Sequence, residues 1–322
     1  MSRKLLISLM AFALSLGAGS AMAEDNNAPI RLIVGYAPGG ALDALARAVA
    51  EKLKAELKQT VIVDNKPGAN QRLAISEVKR SAPDGRTLIL ANDMPFTLFP
   101  HSYNNLGYDP VKDFTRIGRV ANMVLAVAVG PKAPPGGMKE LLAWIKAHPQ
   151  EASFGTSGPG GMGQFIGSMI SSSIGAPMSH VPYKGGSPAL IDLAGGQIPM
   201  MIDTVLEPLE MSKGGKVRII ATTGANRLAI LPNVPTLRES GIDVTVESYL
   251  GIYGPAGIPQ DTVQRLSGAL QTVLKSPELQ ARIGQLAMSA AYASPEETTR
   301  LQAAGFAKWE GPVKVSGFKA DQ

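Results

Sequence analysis

The chain has 322 residues, no Cys, 31 basic and 26 acidic side chains, and a formal net charge of +5. The lack of Cys excludes a disulfide framework, thiol catalysis and Cys-based metal sites. A charge excess this small, with no basic stripe, excludes a nucleic-acid-binding class, and the length suits two domains of roughly 150 residues each. In chain order, Arg3 and Lys4 precede an apolar run, 5–18, broken only by Ser8, Ser15 and Gly17, and small residues follow up to Ala21-Met22-Ala23. This is the pattern of a cleaved signal peptide, and the run falls short of the roughly 20 residues that span a bilayer. The expectation is a leader over 1–23, cleavage after Ala23, and a mature chain of 299 residues (322 minus 23) starting at Glu24. No Cys stands at the cleavage point to carry a lipid.

Short apolar runs then alternate with amphipathic stretches. Ile30 to Val34 reads as a strand, Pro38-Gly39-Gly40 as a turn, and Ala41 to Leu57 as a helix with Leu42, Leu45, Ala46, Val49, Ala50 and Leu53 on one face. Val61 to Val63 is the next strand, Asn65-Lys66-Pro67-Gly68 a turn, Arg72 to Arg80 a helix, and Thr87 to Leu90 a strand after Pro83-Asp84-Gly85. Such alternation argues a parallel sheet with helices on its faces. Val120 to Gly130 reads as buried strand, with Leu125 to Val129 opening a second unit. That unit continues with a helix over Met138 to Ala147, a strand over Ser153 to Gly155 and a glycine-rich run, Gly158 to Gly163. A helix follows over Gln164 to Ile174, then strands at Met178 to Val181, Met200 to Asp203 and Val217 to Thr222. Tyr249 to Tyr253 is a strand, and Asp261 to Leu274, Pro277 to Ala287 and Pro295 to Trp309 read as helices. The fold class is therefore α/β, two units with a ligand cleft between them, and loops at the carboxyl ends of strands face such a crevice.

Enzyme readings find little support. His101, His148 and His180 stand at no metal-ligand spacing. Gly155-Thr156-Ser157-Gly158-Pro159 misses the G-x-S-x-G spacing, no P-loop is present, and Pro159 breaks a dinucleotide fingerprint in the glycine run. No catalytic residue, metal site or cofactor is expected. A binding reading fits better. Tyr36-Ala37-Pro38-Gly39-Gly40 leaves a strand for a helix, so backbone N–H groups can meet a carboxylate. Asp43 in that first turn is either a cap or a ligand contact. Asn92 and Asp93 follow the third strand, and Thr156, Ser157 and the run Tyr183 to Pro188 supply hydroxyls and N–H groups in the second unit.

At these positions the sequence resembles the substrate receptors of tripartite tricarboxylate transporters, the Bug or TctC-like family. The matching segments are Val34-Gly35-Tyr36-Ala37-Pro38-Gly39-Gly40 with Asp43 and Ala46-Arg47, Val63-Asp64-Asn65-Lys66-Pro67-Gly68-Ala69, Ala82-Pro83-Asp84-Gly85 with Thr87-Leu88, Tyr108-Asp109-Pro110-Val111-Lys112-Asp113-Phe114, Val181-Pro182-Tyr183-Lys184-Gly185-Gly186, and Asp192-Leu193 with Gly195-Gly196-Gln197. They run in the family's order over nearly the whole mature chain. The resemblance implies a type II periplasmic-binding-protein fold, with domain 1 over 24–124 plus 249–322, domain 2 over 125–248, and crossings near Val124 and Ser248. The C-terminal helices, Asp261 to Trp309, would return to domain 1. The implied partners are a small organic acid and the transporter's membrane subunits, and the implied state is a periplasmic monomer.

The expected ligand-binding residues are Tyr36, Ala37, Gly39, Gly40, Asp43, Ala69, Asn92, Asp93, Thr156, Ser157, Gln164, Tyr183, Gly186 and Asp203. Glycines and Ala37 would give N–H groups, Thr156, Ser157 and Tyr183 hydroxyls, and Asp43 and Asp203 would orient water or an amine. The sequence departs from the family where Gly161 and Gln164 replace the usual Ser and His, Leu42 replaces Thr, and Asn70-Gln71-Arg72 replaces Gly-Gly-Asn. Arg72 either adds a positive charge beside the pocket or faces solvent. A ligand-binding sensor feeding a membrane signalling kinase is the alternative, and the chain itself does not separate the two.

Overall fold

The structure, a computed structural model, describes residues 28–320. The expected leader, 1–23, and its cleavage point lie outside the described residues. The first unit opens with β1 (Ile30–Val34), α1 (Ala41–Leu57), β2 (Val61–Asn65), α2 (Arg72–Lys79) and β3 (Thr87–Asn92). Alternate side chains of β1 and β3 enter opposite cores. Leu32, Val34, Leu88 and Leu90 pack beneath Leu45, Val49 and Leu53 of α1, whereas Ile33, Ile89 and Ala91 meet Ile75 and Val78 of α2. Burial on both faces is why these strands read as continuous apolar runs. Two single-turn helices, α3 (Met94–Thr97) and α4 (Phe99–Ser102), lead to β4 (Phe114–Met123).

The second unit holds β5 (Leu125–Val129), α5 (Met138–Ala147), β6 (Ser153–Thr156), α6 (Met162–Ile174), β7 (Ser179–Pro182), α7 (Gly186–Ala194), β8 (Met200–Thr204), α8 (Leu206–Ser212) and β9 (Arg218–Thr222). The chain then returns through β10 (Ser248–Pro255), α9 (Gln260–Leu274), α10 (Pro277–Gln285), β11 (Ser289–Ala293) and α11 (Pro295–Ser316).

The sheets are mixed, not purely parallel. The first has the order β11-β4-β10-β3-β1-β2 and the second β7-β6-β8-β5-β9. In the first, β1 runs parallel to β2 and β3, while β10 lies antiparallel between β3 and β4. In the second, β6 is parallel to β7 and β8, and β5 is antiparallel to β8 and β9. In each sheet an antiparallel strand comes from the segment arriving from the other unit. This is the interleaving that the type II expectation requires. The apolar run 120–130 is accordingly two strands: Met123 pairs with Ser248 in the first sheet and Leu125 with Thr204 in the second, with Val124 at the handover.

The last helix touches both units. Its Thr298 and Gln302 are buried, and Gln302 accepts from Arg116 of β4. Trp309 and Val313, however, belong to the core of the second unit, where Trp309 stands 6.1 Å from the ring of Phe165. A helix of 22 residues is about 33 Å long at 1.5 Å per residue, long enough to reach both cores.

Several glycines of the second unit serve packing. A Cβ on Gly163, in the first turn of α6, would lie 2.4 Å from the Ile202 carbonyl oxygen and 3.1 Å from Thr156 Cγ2. A backbone carbonyl in a central strand cannot step aside. Gly163→Ala is expected to cost about 2–3 kcal/mol, the upper range for overpacking, read as a lower urea midpoint. An unchanged midpoint would show that α6 can slide on β8.

Candidate functional site

Two walls face each other at the carboxyl ends of β1, β3, β6 and β8. On the first wall, the chain leaves β1 through Gly35 and Tyr36 and exposes Ala37, Gly39 and Gly40 before α1. Gly40 is an extended N-cap without a side-chain cap. Asp43 braces this turn. Its carboxylate accepts from Gly39 N (2.9 Å), Arg47 Nε (3.0 Å) and Asn65 Nδ2 (3.0 Å), and the same Asn65 amide reaches Tyr36 O (3.1 Å). Hydrogen bonding from Arg47 holds the Asp43 carboxyl below the usual carboxylate range. The ligand roles expected for Asp43 and the Gly39 N–H are thus taken up inside the turn, leaving Ala37 and Gly40 as the exposed backbone.

Behind the turn lies a closed amide network. Asn92 Oδ1 accepts from Gln71 Nε2 (2.9 Å) and Met94 N (3.2 Å), and Asn92 Nδ2 donates to the Tyr36 hydroxyl (3.1 Å). Burial pushes the Tyr36 phenol up to about 12, so it is a neutral donor at every physiological pH. Ala69, Asn70 and Gln71 carry φ of 47°, 51° and 72° in succession. Three left-handed non-glycine residues in a row store strain of about 1–3 kcal/mol each, as functional loops do. The run sets Ala69 and Asn70 at the surface and turns Gln71 fully inward, where it covers Gly35. Gln71 was not among the residues expected at the site. Arg72, whose role the sequence left open, stacks over the Tyr103 ring at 4.2 Å.

On the second wall, β6 ends at Thr156, whose hydroxyl donates to Gly158 O (3.0 Å) and meets His180 Nε2 at 2.7 Å. With the hydroxyl hydrogen directed to Gly158 O, His180 Nε2 meets Thr156 as a donor. Asp203, buried at the end of β8, accepts from Ser157 N (2.8 Å) and Thr204 N (2.7 Å). Burial pushes its carboxyl upward. Ser157 itself is exposed, and Ser157 O accepts from Gly185 N (2.9 Å), tying the two glycine-rich turns together. Gln164 Oε1 accepts from Gly160 N (2.7 Å), so this residue closes its own loop. Gly186 opens α7 beside Glu207, whose carboxyl burial and nearby Asp203 both push upward.

The walls meet where Asn70 Nδ2 reaches Pro159 O (3.5 Å). Tyr36 also lies close enough to Asp203 to feel its charge. Two further expected positions have partners within the protein. Asp93 is buried at the second crossing, its carboxylate accepting from Ser248 Oγ, so it serves the junction between units. The Tyr183 hydroxyl donates to Asp192 (2.8 Å). Tyr183→Phe should therefore leave ligand affinity within about twofold and cost about 1 kcal/mol of stability. A calorimetric titration beside a urea curve checks both, and a large affinity loss would mean that the hydroxyl turns to the ligand. Among the described residues, no group of three or more His, Asp or Glu could hold a metal ion.

Two interleaved α/β units with N–H-rich turns on facing walls define a two-lobed solute-binding protein. The sequence pattern of the tripartite tricarboxylate transporter family receptor matches residues 45–317, and the chain belongs to that family. A UPF0065 protein of Bordetella bronchiseptica is 31% identical over 301 residues, covering 94% of this chain and 89% of its own. The periplasmic binding protein BugD superposes with a TM-score of 0.80 at 32% identity, covering 91% of this chain and 99% of its own. R. palustris Rpa4515 with adipate superposes with a TM-score of 0.84 at 28% identity, covering 90% and 98%. The chain is a periplasmic-type solute-binding receptor, which is not an enzyme class.

Proposed function

We propose that the mature chain, released after Ala23, captures one small carboxylate between lobes 24–124 plus 249–322 and 125–248. As a monomer, it then presents the closed form to the membrane subunits of a tripartite transporter. The observation that carries this reading is the pair of facing turns, Tyr36 to Gly40 and Thr156 to Gly161, each placed before a helix. Most N–H groups of these turns are bonded within the protein, but those of Ala37, Gly40 and Gly161 have no partner among the described residues, and they suit an anionic oxygen without an arginine clamp. Asp203 fixes the Ser157 backbone, and Tyr36 adds a neutral hydroxyl. Adipate in a relative supports the acid class.

Closing the lobes removes water from the polar ends of the ligand and strengthens each N–H contact in the drier cleft. The closed state is populated by the ligand's preference for it. Mass spectrometry of the denatured protein, purified from its own periplasm, tests the reading. The expected result is an N-terminus at Glu24 and one organic acid near one per chain. A retained leader, or a stoichiometric bound molecule with no acidic group, would contradict it.

A further inference from the structure

The glycine turn of the second wall is supported from a distant part of the chain. Asp203 holds its start through Ser157 N, and Gln164 holds Gly160 N. Gly160 itself is buried, between the exposed Pro159 and the half-buried Gly161, and has a φ of 70°. A Cβ on Gly160 would stand 3.0 Å from Phe318 Cε1 and 3.8 Å from the Tyr103 hydroxyl oxygen. Both rings therefore close over the corner of the turn, and glycine meets both the backbone conformation and the space.

Phe318 belongs to the segment that follows α11, and this segment is firmly seated. Gly317 caps the helix with a φ of 64°. The Phe318 ring meets the ring of Phe165, in α6, edge-on at 6.0 Å. Ala320 forms a bridge with Tyr103, in which Ala320 N donates to Ser102 O (2.8 Å) and Asn104 N donates to Ala320 O (2.9 Å). Leu98, Phe99 and Tyr103 precede the first crossing in sequence, yet they pack in the core of the second unit with Phe165 and Trp309.

Tyr103 also serves the first wall. The Arg72 guanidinium lies over its ring at 4.2 Å, and Arg72 Nε donates to Ala69 O (3.3 Å). One ring thus supports the strained loop of the first wall and the glycine turn of the second, next to the contact of Asn70 with Pro159. Groups that never touch a ligand set the aim of those that do, and fixing that aim beforehand lowers the cost of binding.

We propose that the segment after α11 is part of the binding machinery, with Phe318, seated beside Tyr103 against Gly160, acting as a positioning residue that holds the Gly161 N–H in its ligand-facing place. The proposal rests on the receptor reading above. Phe318 acts through Gly160, and a glycine turn has no side chain of its own to fill the space its ring would leave.

Calorimetric titration of succinate, glutarate and adipate into the mature protein, with a thermal midpoint for each variant, tests it. For the acid that the wild type binds most tightly, Phe318→Ala is expected to raise Kd about tenfold. Phe318→Leu refills most of the space and should raise it less than about threefold. A purely structural residue would lower the midpoint and leave Kd unchanged, so a folded Phe318→Ala with the wild-type Kd overturns the proposal. Should Phe318→Ala not fold, Gly160→Ala makes the test from the other side, because its Cβ presses on the Phe318 ring and displaces the turn. Its Kd is also expected to rise about tenfold, and an unchanged value overturns the proposal. If none of the three acids binds the wild type, the receptor reading fails and takes this proposal with it, a result distinct from acids that bind parent and variant alike.

Discussion

Asp93→Asn raises stability at pH 7.5 and changes it little near pH 4. Asp93 is buried at the crossing between the units, and burial pushes its carboxyl up from 3.8 to about 6. Ser248 Oγ and the backbone N–H groups nearby only partly offset this. The exposed Lys308, bonded to Thr245 O, lowers the value a little further. A folded-state value above the unfolded one means that the native state binds the proton more tightly. Stability therefore falls as pH rises from about 4 to about 6, and the charged form carries the full cost above that window. Two units at 1.36 kcal/mol each give about 3 kcal/mol. Asparagine mimics the protonated form and can still accept from Ser248, so most of that cost is removed at pH 7.5. Urea midpoints at the two pH values check the prediction. A variant less stable than the parent at pH 7.5 would mean that the charge is held by an attraction larger than its desolvation cost.

The largest functional effect is expected at Asp203. Its two carboxylate oxygens hold Ser157 N and Thr204 N, so it aims the turn that carries Ser157 into the cleft. Asp203→Asn keeps the size but sets an NH2 group against one of these backbone donors. The turn loses its charged acceptor and the exposed Ser157 loses its position. Hydrogen bonds to charged groups are worth about 1.5–3 kcal/mol. A loss of about 2–3 kcal/mol corresponds to about 30- to 150-fold in Kd for the bound acid. Calorimetric titration, beside a circular dichroism spectrum that confirms folding, gives the answer. Affinity unchanged in a folded variant would remove Asp203 from the binding machinery.

Much of the architecture is legible in local sequence. Ile30–Val34, Ala41–Leu57 and Leu125–Val129 fall where apolar period and turn residues place them, because each element announces its own burial. The parts that were not legible depend on distant partners. Nothing local divides the apolar run 120–130 at Val124, since residues on both sides are buried and only the pairing with Ser248 and Thr204 assigns them to different sheets. β11, Ser289–Ala293, is mainly alanine and becomes a strand through its pairing with β4. Helices α7 and α8 are short and begin within glycine- or proline-containing turns, where helical period has little room to show.

The candidate site divides in the same way. Its turns are visible as strand ends rich in glycine, whereas the use of each side chain is not. Asp93 reads as one more polar residue after a strand, yet its partner Ser248 lies 155 positions away. Gln71 reads only as a departure in the turn after Ala69, and its burial depends on the missing side chain at Gly35. A signal was present in the replacement of a glycine by a large amide within the family pattern, but its consequence appears only in three dimensions.

The most direct test of the account is thermal unfolding of the mature chain against a panel of small carboxylates, each at millimolar concentration. Ligand that binds only the folded, closed form at 100 times its Kd adds about 2.7 kcal/mol. The account predicts a midpoint that rises with concentration for at least one acid, and a rise much reduced in Asp203→Asn. Midpoints unmoved by every acid in the panel would contradict it.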